Sequence, residues 1–253
     1  MNALIRAAGL FCLLHLVSAA AIAEPQLMGE GGPLPMVTPS RTICGANDIV
    51  AMKDQEESMK DMGRPVGIYR GNGLACTGTL VSEDLFLTNR HCKVSCSTIN
   101  VTFGYLARGR QETFGCKEIV EAGSSASNQD YMLVRLNGNP GVEWGFYRLS
   151  DEVISKDTPL LMIHHPGASP MKVSTKDCTF VKESGGLLHH RCDTNPGSSG
   201  TGILVPDYEN PSESRIVGIH AFGGCSSSST STNSGPSIRH LSGLSSQIKA
   251  LID

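Results

Sequence analysis

No block of like charges interrupts this chain of 253 residues, no two cysteines form a Cys-x-x-Cys pair, and no internal repeat is visible. The first absence excludes a surface built for nucleic acid, which draws on clustered Lys and Arg. The second argues against the usual paired-cysteine metal site, so neither metal nor cofactor is expected. Length and an unremarkable balance, 40% hydrophobic with a formal net charge of −3, leave room for one large domain or two small ones with a sizeable core. Helical periodicity is scarce before the tail. The 28 glycines, 13 prolines and many short apolar runs favour an all-β chain.

Arg6 precedes an apolar run, Ala7 to Ala21, and Ala21-Ile22-Ala23 fits a small-residue cleavage site. Residues 1–23 therefore read as an export signal, whose removal takes Arg6 away and brings the charge from −3 to −4. No other segment is suited to span a membrane. Residues 24–43, with Pro25, Pro33, Pro35 and Pro39, read as a flexible leader or pro-segment ending near Arg41. The folded domain is expected over 44–253. Asp48 to Met62 is charged and reads as a surface turn of helix or a loop.

From Pro65 the pattern is of short strands between turns: Val66–Tyr69, Cys76–Val81, Leu85–Leu87, Ile99–Phe103 and Tyr131–Leu136, then Leu160–Ile163, Val173–Phe180, Leu187–Cys192, Gly202–Val205 and Ile216–Phe222. Strands at this spacing suggest sandwiches or barrels. Cys225 to Ser237 is serine-rich and reads as a surface loop. After it, Pro236 opens a helix with Ile238, Leu241, Leu244, Ile248 and Leu251 on one apolar face.

Three short stretches carry chemistry. In Asp193-Thr194-Asn195-Pro196-Gly197-Ser198-Ser199-Gly200, glycines flank a serine in a run too tight for helix or strand. Such a turn pushes a hydroxyl outward and gathers backbone N–H groups where an oxyanion would form. In Leu85-Phe86-Leu87-Thr88-Asn89-Arg90-His91-Cys92, a histidine follows an apolar strand, and a Cys76–Cys92 bridge across the hairpin would fix it. In Asp130-Tyr131-Met132-Leu133-Val134-Arg135-Leu136, an acid stands before an alternating strand, where a buried carboxylate can orient an imidazole.

The order His91, Asp130, Ser199 in these contexts resembles the chymotrypsin-like serine peptidases over residues 44–253. Exported bacterial-type members, glutamyl endopeptidases among them, are most similar, because their nucleophile turn also reads Asp-Thr-x-x-Gly-x-Ser-Gly. The resemblance implies two six-stranded antiparallel β-barrels with a C-terminal helix outside. It implies His91 as base, Asp130 as its orienter, Ser199 as nucleophile, and the N–H groups of Gly197 and Ser199 as oxyanion hole. Ser198 stands where the trypsin branch has an aspartate, and no Ile-Val-Gly-Gly start is present, so activation through that buried ion pair is not expected.

Two specificities stay open. His220, in Ile219-His220-Ala221-Phe222-Gly223-Gly224, resembles the histidine that helps bind an acidic side chain in glutamyl endopeptidases, with Thr194 beside it. Asp193, six residues before Ser199, stands where trypsin-like enzymes bind Lys or Arg, and Ile163-His164-His165-Pro166-Gly167 is similar to lysyl endopeptidases. Adjacent histidines on a strand point to opposite faces, so His164-His165 and His189-His190 form no paired metal ligands.

Of nine cysteines, Cys12 lies in the signal. The others allow many pairings, and the expected set adds Cys96–Cys116, Cys178–Cys192 and Cys44–Cys225 to Cys76–Cys92. Asn100-Val101-Thr102 matches a glycosylation acceptor. The expected partners are protein or peptide substrates of a secreted or periplasmic monomer, with no nucleic acid and no membrane insertion after processing. A non-catalytic binding module of the same fold and an esterase using the same triad are the alternatives.

Overall fold

The computed structural model describes residues 42–71, 73–92, 95–226 and 228–252; the signal and nearly all of the leader read from the sequence lie outside them. In chain order the strands are β1 (Val50–Ala51), β2 (Val66–Gly71), β3 (Leu74–Leu80), β4 (Leu85–Thr88), β5 (Asn100–Phe103), β6 (Glu112–Ala122), β7 (Met132–Leu136) and β8 (Arg148–Leu149). They continue with β9 (Leu161–His164), β10 (Lys172–Ser174), β11 (Phe180–Ser184), β12 (Leu187–His190), β13 (Gly202–Val205), β14 (Arg215–Ile219) and β15 (Asn233–Pro236). Four short helices, α1 (Glu57–Met62), α2 (Pro140–Trp144), α3 (Ile238–Ser242) and α4 (Ser246–Lys249), complete the set of α-helices among the described residues.

The first lobe is a closed antiparallel barrel in the order β2-β3-β4-β7-β6-β5, with β5 returning to β2. Its alternating apolar residues fill the interior, where Phe103 meets Phe86 edge-on and stacks on Trp144 at 5.9 Å. The second lobe divides its strands into a six-stranded sheet, β1-β10-β9-β13-β14-β8, and a three-stranded one, β11-β12-β15. Isolated bridges Gly218–Ser237, Phe222–Ser234 and Pro159–Thr179 link the two. Met162, Phe180, Leu188, Ile203 and Val217 pack its interior. A further cluster joins Leu87 and Leu133 of the first lobe to Ile163, Leu204 and Ile219 of the second, and thereby fixes the cleft between them.

The all-β architecture matches the expected one, with local corrections. Val173–Phe180 is not one strand, because the chain turns through a positive φ of 53° at Asp177 between β10 and β11. The serine-rich stretch ends not in a loop but in β15, whose polar residues pair with Leu187–His190. β6, an eleven-residue strand missed in the sequence, alternates weakly because it is largely exposed and twice shifts register against β7. The tail helix breaks in two at Gly243: Ser237 caps α3 through His240 N and Ser245 caps α4 through Ile248 N, both at 3.0 Å. Pro236 therefore ends β15 instead of opening a helix, and Leu244 is exposed. Ile238, Leu241 and Ile248 are fully buried against the lobe interface, each contributing about 1.5–3 kcal/mol.

All four expected disulfides are present: Cys44–Cys225, Cys76–Cys92, Cys96–Cys116 and Cys178–Cys192.

Candidate active site

β4 leads through Asn89 into a short helical turn, Arg90–Cys92, that carries His91. Cys92 is bridged to Cys76 on β3. Asp130 ends the loop before β7, the neighbour of β4 in the barrel. Its side chain is completely buried and both oxygens serve His91: Oδ1 accepts from the backbone N–H at 2.9 Å, and Oδ2 lies 2.6 Å from ring Nδ1. Asn89 Nδ2 donates to the Asp130 carbonyl at 2.6 Å, which fixes the acid's backbone. A third of the His91 side chain stays exposed.

The second lobe delivers Ser199 on the turn before β13. Thr77 N donates to the Ser199 carbonyl at 2.8 Å, and Thr77 Oγ1 donates to the Gly197 carbonyl at 2.8 Å, so the turn is fastened to β3 beside the Cys76–Cys92 bridge. Gly197 and Gly200 hold φ of 99° and 89°, left-handed values that side chains rarely adopt. Space is equally restrictive at Gly200, where a Cβ would strike Thr88 Oγ1 and the Thr77 carbonyl. Ser198 N donates to Asn195 O and Gly200 N to His220 O, whereas the N–H groups of Gly197 and Ser199 have no hydrogen-bond partner among the described residues.

The adjacent serines differ in setting. Ser198 is wholly buried, its Oγ 2.8 Å from His164 Nδ1, whereas Ser199 is partly exposed. His164 reaches on to Ser174 Oγ through Nε2 at 3.3 Å. The sequence does not mark His164 or Ser174 as part of this site; it singles out Ile163-His164-His165 for its motif and as a histidine pair unsuited to a metal.

His220 follows β14 and joins the turn through Gly200 N and Thr201 O. Burial first, and then the nearby His91, lower its pKa to about 3, so its neutral form predominates. Thr194 is fully buried, with its N–H donating to the Thr42 carbonyl at 3.0 Å and Oγ1 3.3 Å from Asn233 Nδ2. Asp193 is occupied: Oδ1 accepts from Cys44 N at 2.6 Å and Oδ2 from Asp48 N at 2.9 Å.

Two β-lobes, with a His–Asp pair on one and a glycine-flanked serine turn on the other, are the architecture of a chymotrypsin-like serine peptidase. A family model described as the trypsin-like peptidase domain matches residues 76–219, and the chain belongs to that family, as a serine endopeptidase. Among solved structures it is similar to one of a Glu endopeptidase, at TM-score 0.58 and 19% identity over 77% of this chain and 93% of that one. No curated protein matches the sequence.

Proposed function

We propose that the chain hydrolyses peptide bonds through His91, Asp130 and Ser199, and that its primary pocket takes an acidic side chain at His220. The observation that carries the triad is the 2.6 Å contact of His91 Nδ1 with a carboxylate buried to exclusion of water. A carboxylate there holds the Nδ1–H tautomer, which leaves Nε2 free to take the Ser199 proton as Oγ attacks the scissile carbonyl. The tetrahedral oxyanion falls to the Gly197 and Ser199 N–H groups, each such donor being worth about 3 kcal/mol. His91 then returns the proton to the leaving amine, and water deacylates Ser199 by the same route in reverse.

Acidic preference is supported by Asp193, the rival determinant. Its carboxylate is buried and each oxygen accepts from a backbone N–H, of residue 44 or 48, so the acid is engaged in holding the start of the domain. His220 sits at the turn as a neutral imidazole, suited to donate an N–H to a carboxylate. We also read residues 1–23 as an export signal and 24–43 as a leader removed in maturation, in keeping with four disulfides in an oxidising compartment.

The test is digestion of a peptide library by the mature protein beside Ser199→Ala, read by mass spectrometry. Cleavage after Glu or Asp, absent in the variant, is expected. Cleavage after Lys or Arg would return specificity to Asp193. Absence of cleavage by either form, with maturation verified, would make the chain a binding module.

A further inference from the structure

One arginine is held in place without an acid to hold it. Arg110, Arg135, Arg215 and Arg239 each pair with a carboxylate. Arg70, near the end of β2 and partly exposed, has no carboxylate partner among the described residues. Its guanidinium carbon instead lies 5.0 Å from the centroid of the Tyr105 ring, and that ring stacks on His165 at 5.8 Å and 21°. Tyr105 is fixed through its carbonyl, which accepts from Met171 N at 2.8 Å. His165 is wholly buried; its N–H donates to Thr77 Oγ1 at 3.0 Å, and its Nδ1 donates to the Ser169 carbonyl at 3.0 Å. Burial lowers its pKa to about 4, so near neutrality the stack holds a single cation, Arg70.

Strand register relates that cation to the chemistry. Arg70 pairs with Ala75 on β3, and Ala75 and Thr77 point to the same face. Thr77 N donates to the Ser199 carbonyl, so Arg70 stands about 7 Å along the strand from the residue that holds the Ser199 turn. His220 engages the same turn from the second lobe, through its carbonyl and Gly200 N. A substrate whose acyl half enters beside His220 sends its leaving half past Thr77, toward Arg70. An extended peptide advances ~3.4 Å per residue, which brings the second residue after the scissile bond level with the guanidinium.

We propose that Arg70 anchors a second substrate subsite: stacked on Tyr105, it receives the carboxylate of a Glu or Asp two residues after the scissile bond. The guanidinium fork matches a carboxylate, and a side chain already positioned by an aromatic ring loses less freedom when it binds one. The proposal rests on peptide hydrolysis at Ser199 and is independent of which side chain the primary pocket takes.

The test uses peptides identical except for Glu, Gln or Lys at the second residue after the scissile bond. The residue before the bond is the one that library digestion finds best. Wild type, Arg70→Gln, Arg70→Glu and Tyr105→Leu are compared as kcat/KM, with rates divided by the concentration of enzyme titratable with an organophosphate. Wild type is expected to favour Glu over Gln by about fivefold at low salt, and by less as salt rises. Arg70→Gln should lose that ratio, Tyr105→Leu should lose part of it, and Arg70→Glu should favour Lys instead. The reversal is a gain that a damaged fold would not produce. If no form hydrolyses the peptides or reacts with the organophosphate, hydrolysis at Ser199 fails and this proposal with it. If wild type cleaves all three peptides alike, hydrolysis stands and the subsite is overturned. If wild type favours Glu and Arg70→Gln keeps the ratio, Arg70 is not its source and its role is overturned.

Discussion

Ser198 and His164 form the centre of a proton-ordered chain beneath the turn that carries Ser199. Ser174 Oγ donates to the Asp193 carbonyl at 2.9 Å, so it accepts from His164 Nε2–H. His164, kept neutral by burial with its pKa lowered to about 3, therefore accepts at Nδ1 from Ser198 Oγ–H, and Ser198 Oγ accepts from Asn195 N at 3.1 Å. The chain begins and ends in the approach to Ser199, so it braces that approach from below.

The two serines should accordingly fail in different ways. Ser198→Ala leaves Asn195 N and His164 Nδ1 unpartnered and should cost about 1–3 kcal/mol in urea unfolding, with a partial loss of kcat. Ser199→Ala should leave the unfolding midpoint nearly unchanged and lower kcat by a factor on the order of 10⁶. Equal stability of both variants would mean that the buried chain contributes nothing.

Asp130→Asn keeps the volume but offers an amide where His91 needs an acceptor. Loss of about 10⁴ in kcat is expected, with substrate KM little altered. A loss under tenfold would remove Asp130 from the proposed triad.

At Gly200, left-handed φ and the crowding by Thr88 and Thr77 coincide. Gly200→Ala should destabilise by about 3 kcal/mol or more and cost most of the activity. Wild-type unfolding and turnover in this variant would contradict the geometry of the turn.

Acid should weaken the fold. His164 and His220 are lowered to about 3 and His165 to about 4, each chiefly by burial, and burial also holds His190 well below the ordinary histidine range. Between those values and the ordinary 6.5, the unfolded chain binds more protons than the folded one, so stability rises with pH. The contribution is present above about 6.5 and is lost as pH falls toward 3. Asp48 opposes it: burial and the adjacent Asp193 raise it to about 7, so its contribution holds below 3.8 and fades as pH climbs through 7. Urea midpoints across pH 3–8 should fall on the acid side, and Asp48→Asn should steepen that fall. A flat profile would contradict the burial of the histidines.

The proposed catalytic residues were legible because each stands in a short continuous stretch, beside an apolar strand or between glycines. The Cys76–Cys92 bridge was legible for a similar reason, spanning one hairpin. β15 was not, since Asn233-Ser234-Gly235-Pro236 has a turn's composition and becomes a strand only by pairing with β12. The break at Gly243 was hidden because the apolar spacing runs straight across it, while the caps on Ser237 and Ser245 decide where helix begins. His190 and His220 lie thirty positions apart and meet through sheet pairing, which no local pattern records.

The clamp of Asp193 on Cys44 and Asp48 also bears on the order of assembly. β1 pairs with β10 across more than a hundred positions, and Cys44 is tied to Cys225. Residues 44–51 thus emerge from the ribosome before the first barrel but find their partners only after most of the second lobe has been made. The barrel is built as a long loop between the halves of one sheet. Contacts of such separation are expected to form late and slowly, so the turn that carries Ser199 is expected to reach its final shape near the end of folding, after the barrel that carries His91 and Asp130.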